Sequence, residues 1–195
     1  MNTKYIINSD FTIIPEMPGI YSWFYPIRIY DQDTYESFFH RIQFFLLFSL
    51  KTNESVIQNI LFDSNSWEEI QISLGINYRE NRILKKDWAK LKKDPEFKHS
   101  LLQSSFWNRP LYVGKADNLN RRLNEHLIGR TDFHKRFNSA CEKYNFNNDV
   151  DFKFSSSFTF RNLLLSYTTF PNDNLTLSSL EKTLQITSRP NFSKL

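Results

Sequence analysis

The sequence predicts an α/β (α+β) fold in which a small antiparallel three-stranded sheet is flanked by helices. Two segments, Gly19–Tyr25 and Leu111–Gly114, combine β-branched and aromatic residues with the period-two alternation of strands. Leucines at positions 119, 123 and 127 indicate an amphipathic helix directly after the second strand. With 195 residues, 40% of them apolar, the chain is large enough for one domain with a sizeable core.

The alternation in Gly19–Tyr25 places the Tyr21 side chain on the face opposite Ile20. Gly19 and Gly114 are two of only four glycines in the chain, and each lies in a strand close to a tyrosine. Because glycine lets another group approach the backbone, we expect a close neighbour at both positions. A further strand is predicted at Lys4–Asn8.

The long stretch between the two strands predicts helices. The predicted segments are Thr34–Lys51, Glu54–Phe62, Trp67–Leu74 and a basic helix at Arg79–Lys93. Asp94-Pro95 ends the last of these, and no low-complexity linker marks a second domain. The sequence therefore predicts a single domain over residues 1–195, with a mainly helical insertion at residues 31–105.

The last third of the chain predicts two helices and two strands. These are a helix at Phe133–Tyr144, strands at Val150–Phe160 and Leu163–Phe170, and a helix at Leu177–Gln185. In the last helix, Glu181 lies just beside the apolar stripe of leucines. We therefore expect its carboxylate at the edge of the core.

Charge is unevenly placed along the chain, although the net charge is only +4. Residues 79–136 contain fifteen Lys or Arg and seven Asp or Glu, which is a local excess of eight positive charges. Such an excess suits a polyanion such as nucleic acid. For the lysines of Arg79–Lys93, a solvated helix face is the competing interpretation.

Neither a membrane nor a thiolate site is indicated. The strongest apolar run, Phe44–Leu50, is too short to cross a bilayer, and the N-terminus lacks a cleavable signal pattern. The lone Cys141 excludes an internal disulfide and a cysteine metal cluster. A reducing, cytoplasmic location is expected.

The segment Arg109–His126 combines the groups of an anion site on one strand-to-helix unit. Asp117 or Asn118 is expected to cap the helix, whose N-terminus would attract a phosphate. Arg122 and His126 lie four residues apart on one helical stripe. Arg121 is expected to pair with Glu125, which would leave Arg122 for the substrate.

Taken together, these motifs resemble the GIY-YIG nuclease family. Gly19-Ile20-Tyr21 matches its first motif and Tyr112-Val113-Gly114 its second. Arg122 follows the second tyrosine by ten residues and His126 by fourteen, as in the family, and Glu181 lies in a late helix that leads to Pro190-Asn191. The resemblance covers residues 16–30 and 105–195. Ninety residues separate Tyr21 from Tyr112, whereas family members usually join these strands by a short hairpin.

The resemblance implies a metal-dependent endonuclease with an active site divided between distant segments. Glu181 would bind a single Mg²⁺, with Mn²⁺ as a substitute, because a hard carboxylate suits a hard cation that keeps most of its waters. Tyr21 would act as the general base or orient the attacking water. Tyr112 would complete the hydrogen-bond network.

The resemblance also implies roles for the neighbouring polar residues. Arg122 would hold a phosphate oxygen, and His126 would assist proton transfer or hold the phosphate. Lys115 would help to stabilise a Tyr21 phenolate. Lys115, Arg121 and Asn191 are expected to contact the substrate, and Asn191 would position Glu181 or a water.

Two hypotheses of different classes follow. In the first, the protein is a DNA endonuclease of restriction or phage-defence type, expected to act as a homodimer that cuts both strands, with the inserted helices contributing recognition. In the second, the same scaffold is a catalytically silent nucleic-acid-binding or interaction module. Every position expected to react carries a competent side chain, which favours the enzyme.

Overall fold

In a computed structural model of the chain, the described residues are 3–6, 13–39, 41–42, 78–147, 160–170, 174–188 and 190. The chain divides into two compact units, one formed by Met1–Ile27 with Gln103–Leu195 and the other by Arg28–Leu102. Three predictions lie outside the described residues, namely the helices at Glu54–Phe62 and Trp67–Leu74 and the role of Asn191. The strand predicted at Val150–Phe160 also lies outside them, except for Phe160, which begins a 3-10 turn.

The strands are β1 (Thr3–Ile6), β2 (Gly19–Phe24), β3 (Tyr112–Ala116) and β4 (Leu164–Thr169). They form one antiparallel sheet in the order β1-β4-β2-β3. The predicted α+β class is therefore confirmed, but the sheet has four strands rather than three. The fourth strand is β1, which pairs along β4 from Thr3 opposite Thr168 to Ile6 opposite Leu165.

The helices are α1 (Tyr78–Leu91), α2 (Pro95–Ser104), α3 (Leu119–Leu127), α4 (Asp132–Asn147) and α5 (Asn174–Ser188). Residues 35–39 and 41–42 are also helical, in agreement with the start of the helix predicted at Thr34–Lys51. None of the helices in the described ranges is long and apolar enough to cross a membrane.

The two motif strands pair directly, although ninety residues separate their tyrosines. Tyr21 lies opposite Gly114 and Trp23 opposite Tyr112, while the other side of β2 pairs with β4. Strand β2 is therefore central and β3 is an edge strand. Directly opposed residues of antiparallel strands share a face, so both motif tyrosines lie on one side of the sheet.

Helices cover both faces of this sheet. On the tyrosine face, α3 packs so closely that a Cβ on Gly19 would lie 2.5 Å from the Leu119 side chain. On the other face, α5 contributes Leu177 to an apolar cluster with Ile20 and Val113. The close approach predicted at Gly19 is confirmed, and the edge strand β3 lies where elements from the two faces meet.

The second unit has its own buried ion pair, between Arg41 and Asp33. The Arg41 guanidinium lies 4.7 Å above the centre of the Tyr30 ring. Trp88 of α1 packs against Phe38 with a ring-centre distance of 5.1 Å. Trp88 therefore lies on the side of α1 that packs within the second unit.

Candidate active site

A buried hydrogen bond joins the first motif strand to helix α3. The Tyr21 hydroxyl lies 2.7 Å from His126 Nε2, and the exposed fractions of the two side chains are 1% and 0%. Strand β2 positions Tyr21 by its register, and α3 positions His126 on the stripe adjoining Leu119 and Leu123. The pair unites segments more than one hundred residues apart.

Burial determines the protonation states of Tyr21 and His126 by shifting their pKa values. It raises the pKa of Tyr21 well above its usual value, and the neighbouring Tyr112 raises it further, whereas the Arg122 guanidinium lowers it. Burial, Arg122 and His134 together lower the pKa of His126 to about 3. At neutral pH the pair is therefore a neutral phenol beside a neutral imidazole. The cation that acts on Tyr21 is Arg122, where the sequence suggested Lys115.

Thr131 holds the other side of the His126 ring. Its Oγ1 lies 2.7 Å from His126 Nδ1 and also accepts a hydrogen bond from the backbone N–H of His134 at 3.3 Å. When Nδ1 donates to Thr131, Nε2 is left as an acceptor for the Tyr21 hydroxyl. Sequence reasoning missed Thr131 because no motif or spacing distinguishes it.

Tyr112 completes an aromatic wall around the imidazole. Its ring lies 6.0 Å from that of Tyr21 and 5.6 Å from that of His126, and it stacks on Phe133 of α4 at 4.6 Å. Gly114 lies between the two tyrosines. A Cβ at this position would lie 2.6 Å from Tyr112 Cε1 and 2.7 Å from the Tyr21 hydroxyl oxygen, so the predicted close approach is confirmed.

Replacement of Gly114 by alanine is expected to displace Tyr21 from His126, because the added methyl overlaps two packed rings. Gly129 offers a matched control, because it has a φ of 80° but an added Cβ would find its nearest neighbour only at 3.6 Å. We expect Gly129→Ala to lower the melting temperature without changing the environment of His126, and a Gly114→Ala variant with a wild-type His126 imidazole NMR signal would contradict this account.

Arg122 is held by the neighbouring acid of its own helix. Its Nη1 donates to Glu125 Oε2 at 2.8 Å, and 39% of its side chain remains exposed. The expectation that Arg121 pairs with Glu125 is wrong. Glu125 lies three residues from Arg122 and four from Arg121, and both spacings bring side chains together, so the choice depends on how the side chains pack. Arg121 is exposed, and its backbone N–H donates to Asn118, which caps the helix as predicted.

Glu181 reaches the site from the opposite side of the sheet, at the free edge of β3. Its Oε1 accepts the backbone N–H of Lys115 at 3.2 Å and the Gln185 side-chain amide at 3.3 Å. Gln185 also donates to the Val113 carbonyl at 3.1 Å. Sequence reasoning missed Gln185, although its position one helical turn after Glu181 is a usable signal.

The functional side chains from the two faces of the sheet therefore meet at two adjoining residues of β3. Gly114 faces the hydroxyl of Tyr21, and the backbone N–H of Lys115 binds the carboxylate of Glu181. Both Glu181 bonds use Oε1, and no described residue bonds Oε2. The Lys115 ammonium binds the Ser178 hydroxyl, on the α5 side of the sheet.

Acidification is expected to destabilise the protein through His126. Its folded-state pKa of about 3 lies below the ordinary value of 6.5, so the unfolded chain binds more protons between these limits. The stabilisation is fully present above pH 6.5 and is lost as pH falls toward 3; at pH 4.5 the loss is about 2–3 kcal/mol. Urea unfolding of wild type and His126→Gln at pH 7.5 and 4.5 measures how much the free energy of unfolding depends on pH in each protein. Equal pH dependence in both proteins would contradict it.

Comparison with known proteins gives a family match, and it covers the part of the chain that contains most of the site residues. Residues 103–194 match the GIY-YIG catalytic domain, which confirms the family resemblance. The match begins after the first motif, and the direct pairing of β2 with β3 adds Tyr21 to the matched segment. No curated protein and no solved structure shows a significant match to the chain.

Proposed function

We propose that this chain, which carries a GIY-YIG catalytic domain, is an endonuclease that hydrolyses phosphodiester bonds in DNA with the aid of Mg²⁺. The observation that carries the proposal is the convergence of competent side chains on residues 112–115 of β3. A phenol, an imidazole, a guanidinium and a carboxylate meet there from elements spread between residues 21 and 181. Packing of the protein interior alone gives no reason for these four polar groups to lie close together.

The carboxylate fits a single Mg²⁺. Oε1 of Glu181 is held by two donors, and Oε2 has no partner among the described residues, so it is available to a cation. The described residues contain no cluster of three or more acidic, histidine or cysteine ligands. Such a sparse site suits Mg²⁺, which binds through one or two carboxylates, substrate phosphate and retained waters. The metal would polarise the phosphate and offset charge in the transition state.

Arg122 is suited to hold the phosphate. It is charged at all relevant pH values, Glu125 orients it, and part of its fork remains exposed. Its positive charge also helps to lower the pKa of His126. A phosphate bound to Arg122 would offset that charge and so make His126 a stronger base when substrate is present.

Tyr21 and His126 are suited to remove a proton from the attacking water. As the water oxygen bonds to phosphorus, its proton passes to the Tyr21 oxygen while the Tyr21 proton passes to His126 Nε2, 2.7 Å away. The bond from phosphorus to the leaving deoxyribose oxygen breaks in the same step, and that oxygen then takes a proton from solvent. This coupled transfer avoids a buried phenolate, which the raised pKa of Tyr21 disfavours.

The pattern of cleavage and the oligomeric state test the proposed biological role and assembly of the protein. A restriction or phage-defence role would give cleavage at fixed DNA sites, and a homodimer would cut both strands. Sequencing of product ends distinguishes a fixed site from scattered cleavage. Sedimentation of the protein with and without DNA tests the dimer.

The direct test is incubation of supercoiled plasmid with purified protein and Mg²⁺, with EDTA as the control. We expect nicked or linear product with Mg²⁺ or Mn²⁺ and none with EDTA. Salt-sensitive DNA binding without cleavage in any divalent metal would instead support the silent binding module.

A further inference from the structure

Three exposed lysines form one face at the end of helix α1. Lys86, Lys90 and Lys93 are spaced by four and three residues, which places them within about 60° around the helix axis. Backbone bonds from Lys92 to Trp88 and from Lys93 to Lys90 continue the turn beyond Leu91, so Lys93 keeps this register. We call Lys86, Lys90 and Lys93 the α1 lysine face.

The other lysines of this region have partners within the second unit. Lys85 forms an ion pair with Glu36 at 2.6 Å, Lys92 donates to the Asp33 carbonyl at 2.8 Å, and Lys98 pairs with Asp31 at 3.1 Å. None of the ammonium groups of the α1 lysine face has a hydrogen bond or ion pair to a described residue. The structure thus separates two sets of three lysines, one bonded within the second unit and one facing solvent.

Two lysines of the exposed set lie close enough along the helix to repel each other. Lys86 and Lys90 are like charges four residues apart, and such pairs destabilise a helix. A helix face that only needs solvation usually mixes both signs of charge, which would stabilise it instead. Repulsion between neighbouring lysines is relieved when a polyanion binds them.

Nucleic acid fits this face better than an anionic membrane does. A helix that binds a membrane surface needs an accessible apolar side opposite its charges. In α1 the opposite side carries Trp88, which is packed against Phe38 and Tyr35 at ring-centre distances of 5.1 and 5.9 Å. The α1 lysine face is therefore charged, but the helix has no accessible apolar side that could enter a membrane. This combination suits the phosphate backbone of a nucleic acid.

We infer that the α1 lysine face binds the phosphate backbone of the nucleic acid and so makes the second unit a substrate-binding element. The inference rests on the proposed function in taking DNA as the partner. It assigns the contact to Lys86, Lys90 and Lys93 and excludes Lys85, Lys92 and Lys98. Such contacts are independent of base sequence and release counterions, so they should appear in the salt dependence of binding.

The test compares two triple variants with equal loss of charge, Lys86→Gln/Lys90→Gln/Lys93→Gln and Lys85→Gln/Lys92→Gln/Lys98→Gln. Each is measured in the Glu181→Gln background with EDTA, so that a labelled duplex of about 20 base pairs is bound but not cut. The plot of log K against log salt is expected to become shallower by about 2–3 for the first triple, at about 0.9 per phosphate contact. The second triple should change it by less than one.

Equal slopes for the two triples would overturn this inference and leave the proposed function standing. Failure of the parent protein to bind DNA at all would overturn the proposed function as well. Circular dichroism establishes that each variant is folded. If a triple unfolds, the single variants Lys90→Gln and Lys85→Gln decide the question, with an expected change in slope of about 0.9 for the first and none for the second.

Discussion

Replacement of Glu181 by glutamine is expected to reduce plasmid cleavage by roughly 10³-fold or more. Several kcal/mol of transition-state stabilisation depend on the cation that this carboxylate would hold, and each 1.36 kcal/mol is a factor of about ten. Glutamine keeps the side-chain length, and its oxygen can still accept the Lys115 N–H. The loss should therefore appear as a lower cleavage rate at saturating DNA, with the melting temperature close to that of wild type.

The matched control is Glu16→Gln, which removes one negative charge from an exposed position of the same unit. It should cleave at the wild-type rate. If Glu181→Gln cleaved as fast as this control across a series of Mg²⁺ concentrations, the carboxylate would have no part in catalysis. A defect that high Mg²⁺ fully reversed would show that Glu181 affects metal affinity alone.

Much of the site could be predicted from the sequence because local patterns fix it. Alternation predicts the Tyr21 side chain on the face opposite Ile20, and the pairing of β2 with β3 brings Tyr112 onto the same face as Tyr21. Glycine is scarce in this chain, so its presence beside Tyr112 predicts the close approach at Gly114, where a Cβ would meet both tyrosine rings. The cap at Asn118 follows from the chemistry of an amide side chain before a leucine-rich helix.

The remaining features depend on contacts that no local pattern encodes. Thr131 holds His126 only because the turn after α3 brings it back to the imidazole. The partner of Glu125 was predicted wrongly because spacings of three and four residues both permit an ion pair on a helix. Strand β1 was predicted as an element, but its place beside β4 is set by long-range pairing.

Substitution of Tyr21 by phenylalanine is expected to slow cleavage by about 10²–10⁴-fold, the usual contribution of a general acid–base group. The ring and its packing remain, but the proton path to His126 is lost. Stability should also fall by about 1–3 kcal/mol, because the buried Nε2 loses its hydrogen-bond partner.

The neighbouring strand provides a control that separates chemistry from packing. Tyr167 lies directly opposite Tyr21 in the sheet, is 2% exposed, and has a buried hydroxyl without a hydrogen-bond partner in the described part of the chain. Tyr167→Phe should therefore keep the wild-type cleavage rate and unfold at the same or a higher temperature. If both variants lost activity equally, the effect at Tyr21 would come from the sheet. A loss confined to Tyr21→Phe places the requirement on its hydroxyl, since the two substitutions remove the same atom from one face of one sheet.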